Sequence, residues 1–374
     1  MKIAIDLRSL QSGGVSGVEN YTLNLLEELL AIDMNNSYLL FFNGAKKISL
    51  PELSFINAKV KRTWFPNKIL NLLFKFRFLT LEKLIGDFDL LFMPNLNVVN
   101  VSLKVKIIVT VHDLSFVKCP EFYDLKRKIW HKFLSPAKLF KRASRLLAVS
   151  KFTKNDLISV YNIDPQKIEV IYPGVLVNEF NQKTSIRHLR EVRNVYALPK
   201  DFFLFLNTLE PRKNFINTIK AFENSDCPEH LVIAGKKGWK INDILKTIKN
   251  SSKKDKIHYI GYVNEEFKPA IIKLASALLY PSFYEGFGFQ ALEAMAVGTP
   301  TIVSQVSALP EVVGGGSILI NPYNLRDIIM AMETLSKNDF LKDALVKKAE
   351  LRVENFTWNN CAKMTLKTME DLCV

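Results

Sequence analysis

The stretch that decides the fold is "ALLYPSFYEGFGFQALEAMAVGTPTIVS", residues 277–304. It begins and ends with short apolar runs that are typical of buried strands. Between them lies an alanine-rich segment of helical length, from about Phe289 to Val297, which Gly298 and Pro300 end. A strand, a helix and a second strand in this order form a βαβ unit, whose strands pair in parallel. The stretch therefore predicts an α/β fold.

The same alternation of strand and helix runs along the whole chain and occurs twice. Residues 174–200 are polar and lack strand periodicity, so we predict that they connect two domains and contain a short helix. The predicted domains are 1–173 and 174–355, followed by a C-terminal helix in 356–374. Strands are predicted at 2–7, 38–42, 89–94, 106–112, 145–150, 167–173, 202–208, 230–235, 256–262, 277–282, 300–304 and 317–322.

Length and composition fit this organisation. A chain of 374 residues suits two domains of about 150 residues each. With 48% hydrophobic and 24% charged residues it is predicted to be globular and soluble. Apolar runs end before the ~18 residues of a spanning helix, so we expect neither a membrane span nor a signal peptide. Cys119, Cys227, Cys361 and Cys373 lack Cys-x-x-Cys spacing, which favours reduced thiols and a cytoplasmic location.

The net charge of +14 indicates an anionic partner: nucleic acid, an anionic membrane surface or a phosphate-bearing substrate. In residues 67–84, Lys68, Lys75, Arg77 and Lys83 are interleaved with Leu and Phe. This pattern fits an interfacial helix at a membrane, and equally a core-facing helix with a solvated basic side. Aromatic stacking motifs and a recognisable reading helix are missing, so we expect no nucleic-acid partner.

Ligands of open parallel sheets bind beyond the carboxyl ends of the strands. Gly13, Gly14 and Gly17 lie between the first predicted strand and a helix that begins near Val18. This glycine-rich turn fits either a phosphate-binding turn or a flexible surface turn. The spacing is not G-x-G-x-x-G, and no acidic residue ends the second strand, so a dinucleotide oxidoreductase is disfavoured. His112 ends the fourth predicted strand, where it could bind a sugar hydroxyl, organise a reacting centre or be structural.

Arg212 and Lys213 follow the seventh predicted strand in "NTLEPRKNF". A planar guanidinium beside an ammonium group matches a diphosphate. An exposed basic pair is commonly only solvated surface, and the position after a strand is what favours a binding role here.

Glu285 and Glu293 flank the turn of Gly286, Phe287 and Gly288. A glycine-rich helix N-terminus attracts anions, so two carboxylates beside it need other partners. Carboxylates accept hydrogen bonds from hydroxyls, and a nucleoside diphosphate sugar has hydroxyls on its hexose and on its ribose. We predict that Glu285 binds the transferred sugar and Glu293 the ribose. The alternative is that Glu285 caps the helix and Glu293 is solvated.

One acidic motif could suggest a metal. Asp87 and Asp89 lie in "DFD" at the amino end of a predicted strand, on the side of the sheet opposite to the ligand side. We therefore expect a solvated turn there and no metal cofactor.

These motifs, with "AVSKFTKNDL" and "VIYPGV", resemble the family 4 retaining glycosyltransferases of the GT-B fold and are similar to bacterial mannosyltransferases of surface-polysaccharide assembly. The resemblance covers nearly the whole chain. It implies two Rossmann-like domains that face each other across a cleft, with the helix around Trp358 crossing back to the first domain. It also implies metal-independent, front-face transfer from GDP-mannose as first choice, or from a UDP-sugar, to a glycan or lipid-linked acceptor. A peripheral position at the inner face of the membrane is an open alternative.

The roles that the resemblance implies fall on specific residues. Glu285 would hold the donor sugar, Glu293 the ribose, and the pair Arg212 and Lys213 the diphosphate. Gly14 would contact the phosphate from the first domain. The residues implied in catalysis are His112, Glu285, Arg212 and Lys213, and those implied in donor binding are Gly13, Gly14, Arg212, Lys213, Glu285, Gly286, Phe287, Gly288 and Glu293.

The sequence departs from the family pattern at two places. Gly316 in "LPEVVGGGS" stands where relatives often carry an acidic residue, and residues 60–84 match no family motif, so acceptor recognition is open. The fold also hosts sugar-phosphate synthases and epimerases. A basic nucleic-acid-binding protein remains as the alternative outside enzymes.

Overall fold

The computed structural model describes residues 1–12, 17–44, 56–239 and 241–372, without the side chains of 11, 12, 178, 179 and 181. Gly13, Gly14 and Cys373, which the sequence singles out, lie outside the described residues. The chain divides into two compact units. Unit 1 is Met1–Leu114, Leu125–Gly174 and Thr357–Val374, and unit 2 is Ser115–Asp124 and Val175–Phe356.

Each unit is built on one parallel sheet. The described sheet of unit 1 has seven strands in the order β3-β2-β1-β4-β5-β6-β7, and that of unit 2 has six in the order β10-β9-β8-β11-β12-β13. In both, the order reverses beside the first strand of the unit, as in doubly wound folds. The strands are β1 (Lys2–Asp6), β2 (Ser37–Asn43), β3 (Ala58–Thr63), β4 (Leu90–Met93), β5 (Lys106–Val111), β6 (Arg145–Ala148), β7 (Ile168–Val170), β8 (Phe202–Leu206), β9 (His230–Ala234), β10 (Ile257–Gly261), β11 (Ala277–Tyr280), β12 (Thr301–Ser304) and β13 (Ile318–Ile320).

Helices connect the strands and cover the sheets. They are α1 (Gly17–Ile32), α2 (Asn67–Lys75), α3 (Glu82–Ile85), α4 (Ser115–Lys118), α5 (Leu125–Leu134), α6 (Pro136–Arg142), α7 (Lys151–Tyr161), α8 (Val177–Gln182), α9 (Ile186–Val195), α10 (Phe215–Glu223), α11 (Ile241–Asn250), α12 (Lys268–Leu274), α13 (Phe289–Ala296), α14 (Leu309–Val313), α15 (Leu325–Lys337), α16 (Asp339–Val353) and α17 (Trp358–Glu370).

The core of unit 2 explains why its strands read as continuous apolar runs. Phe203 and Phe205 of β8 pack into one cluster and Phe202 and Leu204 into another. Successive side chains of a strand point to opposite faces, so β8 is buried on both faces. This burial on two sides is typical of a parallel sheet covered by helices.

Three predictions of local structure were wrong. β3 was not among the predicted strands; it is an edge strand that pairs in parallel with β2 and carries Lys59, Lys61 and Arg62 in place of an apolar run. Residues 67–84 do not form one helix, because α2 ends at Lys75 and Arg77 adopts a left-handed backbone with φ 61°. Residues 174–200 hold two helices, α8 and α9, and Val192 of α9 is a core residue.

The C-terminal helix belongs to unit 1. It packs along α1, and the ring of Trp358 lies 5.7 Å from that of Tyr21. The chain passes so close to this helix at Gly174 that a Cβ atom there would lie 2.2 Å from the Trp358 amide nitrogen. The return of the C-terminal helix to the first half of the chain is therefore observed. Among the helices of the described residues, none has the length and apolar character needed to cross a membrane.

Candidate active site

The candidate site of unit 2 lies where β8 and β11 run side by side. The strand order of the sheet reverses between them, which is where open α/β sheets bind ligands. A 3-10 turn, Pro211–Lys213, follows β8, and the loop with Glu285 follows β11. Asn214 fastens the turn in place, because its Nδ2 donates to the carbonyls of Pro281 at 3.0 Å and Pro322 at 2.8 Å. Two segments that are far apart in sequence are thereby held together.

The two predicted cations meet on one predicted carboxylate. The Nζ atom of Lys213 lies 2.6 Å from Oε1 of Glu285, and Nη1 of Arg212 lies 3.1 Å from its Oε2. Nη1 of Arg212 also donates to the carbonyl of Tyr284 at 2.5 Å. All three charged side chains are buried. The structure thus brings together Arg212, Lys213 and Glu285.

Glu210 is a further member of this cluster, which was not predicted from the sequence. Its Oε1 accepts hydrogen bonds from Nε of Arg212 at 3.0 Å and from Nη2 at 2.8 Å, and the side chain is buried. These contacts fix the plane of the guanidinium. The available signal was the spacing in "EPRK", which puts an acidic side chain two residues before the arginine.

Electrostatics keep Glu285 ionised. Burial raises the pKa of its carboxyl, but Lys213 and Arg212 outweigh burial and lower the pKa to about 2. Burial and the neighbouring Arg212 lower the pKa of Lys213. The cluster therefore consists of two oriented cations and two carboxylate side chains, all of them buried. Such a group can bind an anion through the cations and hydroxyls through the carboxylates.

The glycine turn connects Glu285 of this cluster to the start of α13. Gly288 has φ 119°, and a Cβ atom there would lie 2.5 Å from Cδ2 of Leu309, so the position requires glycine. The helix begins at Phe289, as predicted, and ends at Ala296, one residue earlier than predicted. The carboxylate of Glu285 bonds the two cations, which is the arrangement the structure adopts in place of the alternative helix cap.

Glu293 lies on α13 and has a partner of its own. It is buried, so the alternative of a solvated carboxylate is wrong. Its Oε1 accepts a hydrogen bond from Lys268 Nζ at 2.7 Å, and the same Nζ lies 2.7 Å from Oε2 of Glu265. Oε2 of Glu293 is buried without a hydrogen-bond partner among the residues that the structure describes. Lys268 and Glu265 were not predicted from the sequence, because their contact with Glu293 depends on α12 packing against α13.

Gly316 has a structural explanation. A Cβ atom there would lie 2.8 Å from Cα of Ala349 and 3.0 Å from its nitrogen, which are backbone atoms of α16. Any larger residue would push the loop away from the helix. The departure from the family pattern therefore coincides with close packing of the "GGG" loop on α16.

His112 lies in unit 1, directly after β5. Its Nε2 lies 2.8 Å from the carbonyl of Pro94, which follows the neighbouring strand β4, and Tyr21 meets the ring edge-on at 4.8 Å. Burial lowers the pKa of His112. A carbonyl can only accept, so Nε2 carries the proton and Nδ1 of the neutral ring is an acceptor. This tautomer suits the predicted contact with a hydroxyl.

The acidic motif of unit 1 lies where it was predicted. Asp87 and Asp89 precede β4, and Oδ2 of Asp89 accepts from the backbone amide of Lys2 at 2.8 Å. In the described part of the chain, no three His, Cys, Asp or Glu side chains are grouped so that they could hold a metal ion. Metal independence stays a prediction.

Two family models of glycosyltransferases match this chain. The family model "Glycosyl transferases group 1" matches residues 190–352, and the model "Glycosyltransferase Family 4" matches residues 15–179. Together they cover most of both halves of the chain. The chain belongs to the family 4 glycosyltransferases.

Relatives of this glycosyltransferase include two bacterial proteins. It is 28% identical over 268 residues to the O-antigen chain mannosyltransferase B of Escherichia coli, which covers 69% of this chain and 68% of that one. It is 29% identical over 259 residues to the O-antigen chain mannosyltransferase RfbU of Salmonella typhimurium strain LT2, which covers 68% of this chain and 67% of that one.

A solved structure agrees in fold over the full length. The crystal structure of Anabaena Alr3699/HepE in complex with UDP and glucose superposes with a TM-score of 0.77 at 18% identity, covering 99% of this chain and 100% of that chain. The two parallel-sheet α/β units and this likeness establish the predicted GT-B fold.

Proposed function

We propose that this glycosyltransferase transfers mannose from GDP-mannose to a hydroxyl of a growing glycan or lipid-linked saccharide in the synthesis of a cell-surface polysaccharide. The observation that carries the proposal is the contact of Lys213 and Arg212 with Glu285 at the carboxyl ends of β8 and β11. The names of the two O-antigen mannosyltransferases support the sugar and the type of product.

The cluster offers each part of such a donor a matching group. Arg212 and Lys213 present N–H donors that suit the diphosphate. Glu285, held ionised, accepts hydrogen bonds from hydroxyls of the hexose. Glu293 has one buried oxygen without a partner among the described residues, which suits a ribose hydroxyl.

In the reaction, the bond between the anomeric carbon and the diphosphate oxygen breaks while an acceptor hydroxyl attacks from the same face. Arg212 and Lys213 stabilise the negative charge that grows on the leaving diphosphate. The departing phosphate oxygen takes the proton of the acceptor hydroxyl, and the configuration at the anomeric carbon is retained. His112, as an acceptor through Nδ1, is assigned to a hydroxyl of the transferred sugar.

The state of Glu285 favours this front-face route over a covalent intermediate. A carboxylate with a pKa of about 2 and with both oxygens bonded to cations is a poor nucleophile and a poor base. Glu285 is therefore assigned to binding and orientation of the sugar.

The direct test is a thermal-unfolding panel of nucleotide sugars, followed by product analysis. A ligand at a hundred times its dissociation constant adds about 2.7 kcal/mol to stability, which a shift in melting temperature reports. We expect GDP-mannose to give the largest shift, and proton NMR of the product to show a retained anomer. Shifts with UDP-sugars alone would favour the second donor class, which the UDP complex of Anabaena HepE supports. No shift with any nucleotide sugar would contradict the proposal.

A further inference from the structure

Two segments of unit 1 carry almost all of the net charge of the chain. Residues 56–79 contain six Lys or Arg and no acidic residue, and residues 125–142 contain seven and no acidic residue. The net charge of the whole chain is +14, so the rest of the sequence is nearly neutral. The positive charge that indicates an anionic partner is therefore concentrated on β3, α2, α5 and α6.

The two segments lie side by side. Nζ of Lys75, at the end of α2, donates to Oγ of Ser135 at 2.6 Å and to the carbonyl of Phe133 at the end of α5. The same Nζ lies 5.2 Å from the centre of the Phe133 ring, and that ring stacks on Trp130 of α5 at 5.8 Å. These contacts join the C-terminal ends of α2 and α5, so the two basic segments are neighbours in unit 1.

The two basic segments also expose apolar side chains. Leu70 and Phe74 turn the inner face of α2 into the core, while Ile69, Leu72 and Phe76, three and four residues apart, share an exposed face. On α5, Leu125 and Ile129 are four residues apart and are 72% and 60% exposed. We call the basic-apolar surface the exposed side chains of Trp64, Ile69, Leu72, Phe76, Leu125 and Ile129 together with the exposed Lys and Arg side chains of residues 56–79 and 125–142.

The chemistry of the basic-apolar surface selects its partner. A second copy of the chain would place the same positively charged side chains against each other, and they repel. A nucleic acid would match the charge but has no use for exposed Leu and Ile side chains on two helices. An anionic bilayer matches both features, since its surface attracts Lys and Arg and its acyl boundary accepts aliphatic and aromatic side chains.

We propose that the basic-apolar surface binds an anionic lipid bilayer. Its apolar side chains enter the boundary between head groups and acyl chains, and its Lys and Arg side chains contact the anionic head groups. The surface adds α5 to the segment that the sequence analysis singled out, and it excludes the end of that segment, where Leu81 is buried. The proposal does not depend on the donor or on the sugar transferred.

Vesicle sedimentation with the full chain tests the proposal. We expect the protein to bind vesicles of phosphatidylcholine with about 30% phosphatidylglycerol at least tenfold more tightly than phosphatidylcholine alone, and to be released by high salt. The double variant Leu125→Ser/Ile129→Ser should lower binding at least tenfold. Its matched control is Met330→Ser/Phe340→Ser, which removes two apolar side chains of unit 2 that are 65% and 84% exposed and should bind as the wild type.

A second pair of variants separates charge from apolar contact. Lys126→Gln/Lys128→Gln should weaken vesicle binding about fivefold for each lysine, whereas the exposed pair Lys347→Gln/Lys348→Gln in unit 2 should have no effect. Equal melting temperatures for all variants check that each one folds.

Three results would overturn the proposal. The first is equal binding to the two kinds of vesicle, or none to either at low salt. The second is binding of a short nucleic-acid duplex that persists at physiological salt. This binding would be lost in Lys126→Gln/Lys128→Gln but kept in Leu125→Ser/Ile129→Ser. The third is a dimer of the wild type in sedimentation velocity that is absent in Leu125→Ser/Ile129→Ser.

Discussion

Nζ of Lys268 lies 2.7 Å from Oε1 of Glu293, and Oε2 of the same carboxylate is buried with no hydrogen-bond partner among the described residues. Burial raises the pKa of Glu293, and Lys268 offsets only part of this effect. Burial alone would lower the pKa of Lys268, but the carboxylates of Glu293 and Glu265 outweigh burial and raise this pKa. One cation is thus shared by two carboxylates, and one buried oxygen is left over for a hydroxyl donor.

The first prediction concerns that oxygen. Glu293→Gln should weaken the binding of GDP about tenfold or more, because a hydrogen bond to a charged acceptor contributes roughly 1.5–3 kcal/mol. The loss should be much smaller for 2′,3′-dideoxy-GDP, which lacks the hydroxyls. Isothermal titration calorimetry measures both affinities. An equal loss for the two nucleotides would show that Glu293 does not contact the ribose.

The second prediction is the pH dependence of stability from Glu285. Its pKa is lowered from 4.5 to about 2 by folding, so its stabilisation is complete above about pH 4.5 and is lost as the pH falls towards 2. The shift corresponds to about 3 kcal/mol. Glu285→Gln should therefore destabilise the protein by roughly 3–5 kcal/mol at pH 7, because it removes the carboxylate that Lys213 contacts and one of the two that Arg212 contacts.

Urea unfolding at a series of pH values measures this effect. The difference in the free energy of unfolding between the wild type and Glu285→Gln should become smaller as the pH falls from 4.5 to 2. The control Glu350→Gln, at an exposed position of α16, should leave the free energy of unfolding unchanged. If this difference in the free energy of unfolding stays constant across the pH range, the ion pairs of Glu285 do not lower its pKa.

The third prediction compares two neighbouring glycines. Gly316→Ala places a Cβ atom 2.8 Å from the backbone of Ala349 and should cost about 1–3 kcal/mol. Gly315→Ala meets only Cδ of Lys348 at 3.8 Å and should leave the melting temperature nearly unchanged. Thermal unfolding of the two variants tests the difference, and equal stability would contradict the packing of this loop on α16.

The fourth prediction concerns turnover. Arg212→Ala should lower kcat by about 10²–10³, the size expected when one preorganised donor to a developing charge is removed. Arg212→Lys should recover part of the loss in kcat. The control variant Arg326→Ala, at an exposed position of unit 2, should leave kcat unchanged. Steady-state kinetics decide the role, because a rise in KM with kcat unchanged would place Arg212 in uniform donor binding only.

The sequence predicted those strands whose side chains are buried on both faces. β8 and β11 are apolar runs because helices cover both sides of the sheet. β3 was missed because an edge strand in contact with solvent carries Lys and Arg, and such a run has no apolar period to detect.

The candidate site was predictable where topology alone brings residues together. The carboxyl ends of neighbouring parallel strands meet at one edge of the sheet, which is enough to place Arg212 beside Glu285. Lys268 and Glu210 were not predictable in this way. Each is a charged residue in a polar segment, and only the packing of α12 on α13, or the turn after β8, carries it into the interior.

The most direct measurement of the proposed donor site compares GDP with GMP in the wild type and in Lys213→Met. If Lys213 and Arg212 bind the diphosphate, the wild type should bind GDP at least tenfold more tightly than GMP, and Lys213→Met should lose most of that preference while its affinity for GMP changes little. Calorimetric titrations give both ratios within each protein. An undiminished preference for GDP in Lys213→Met would contradict the assignment of the cation cluster to the diphosphate.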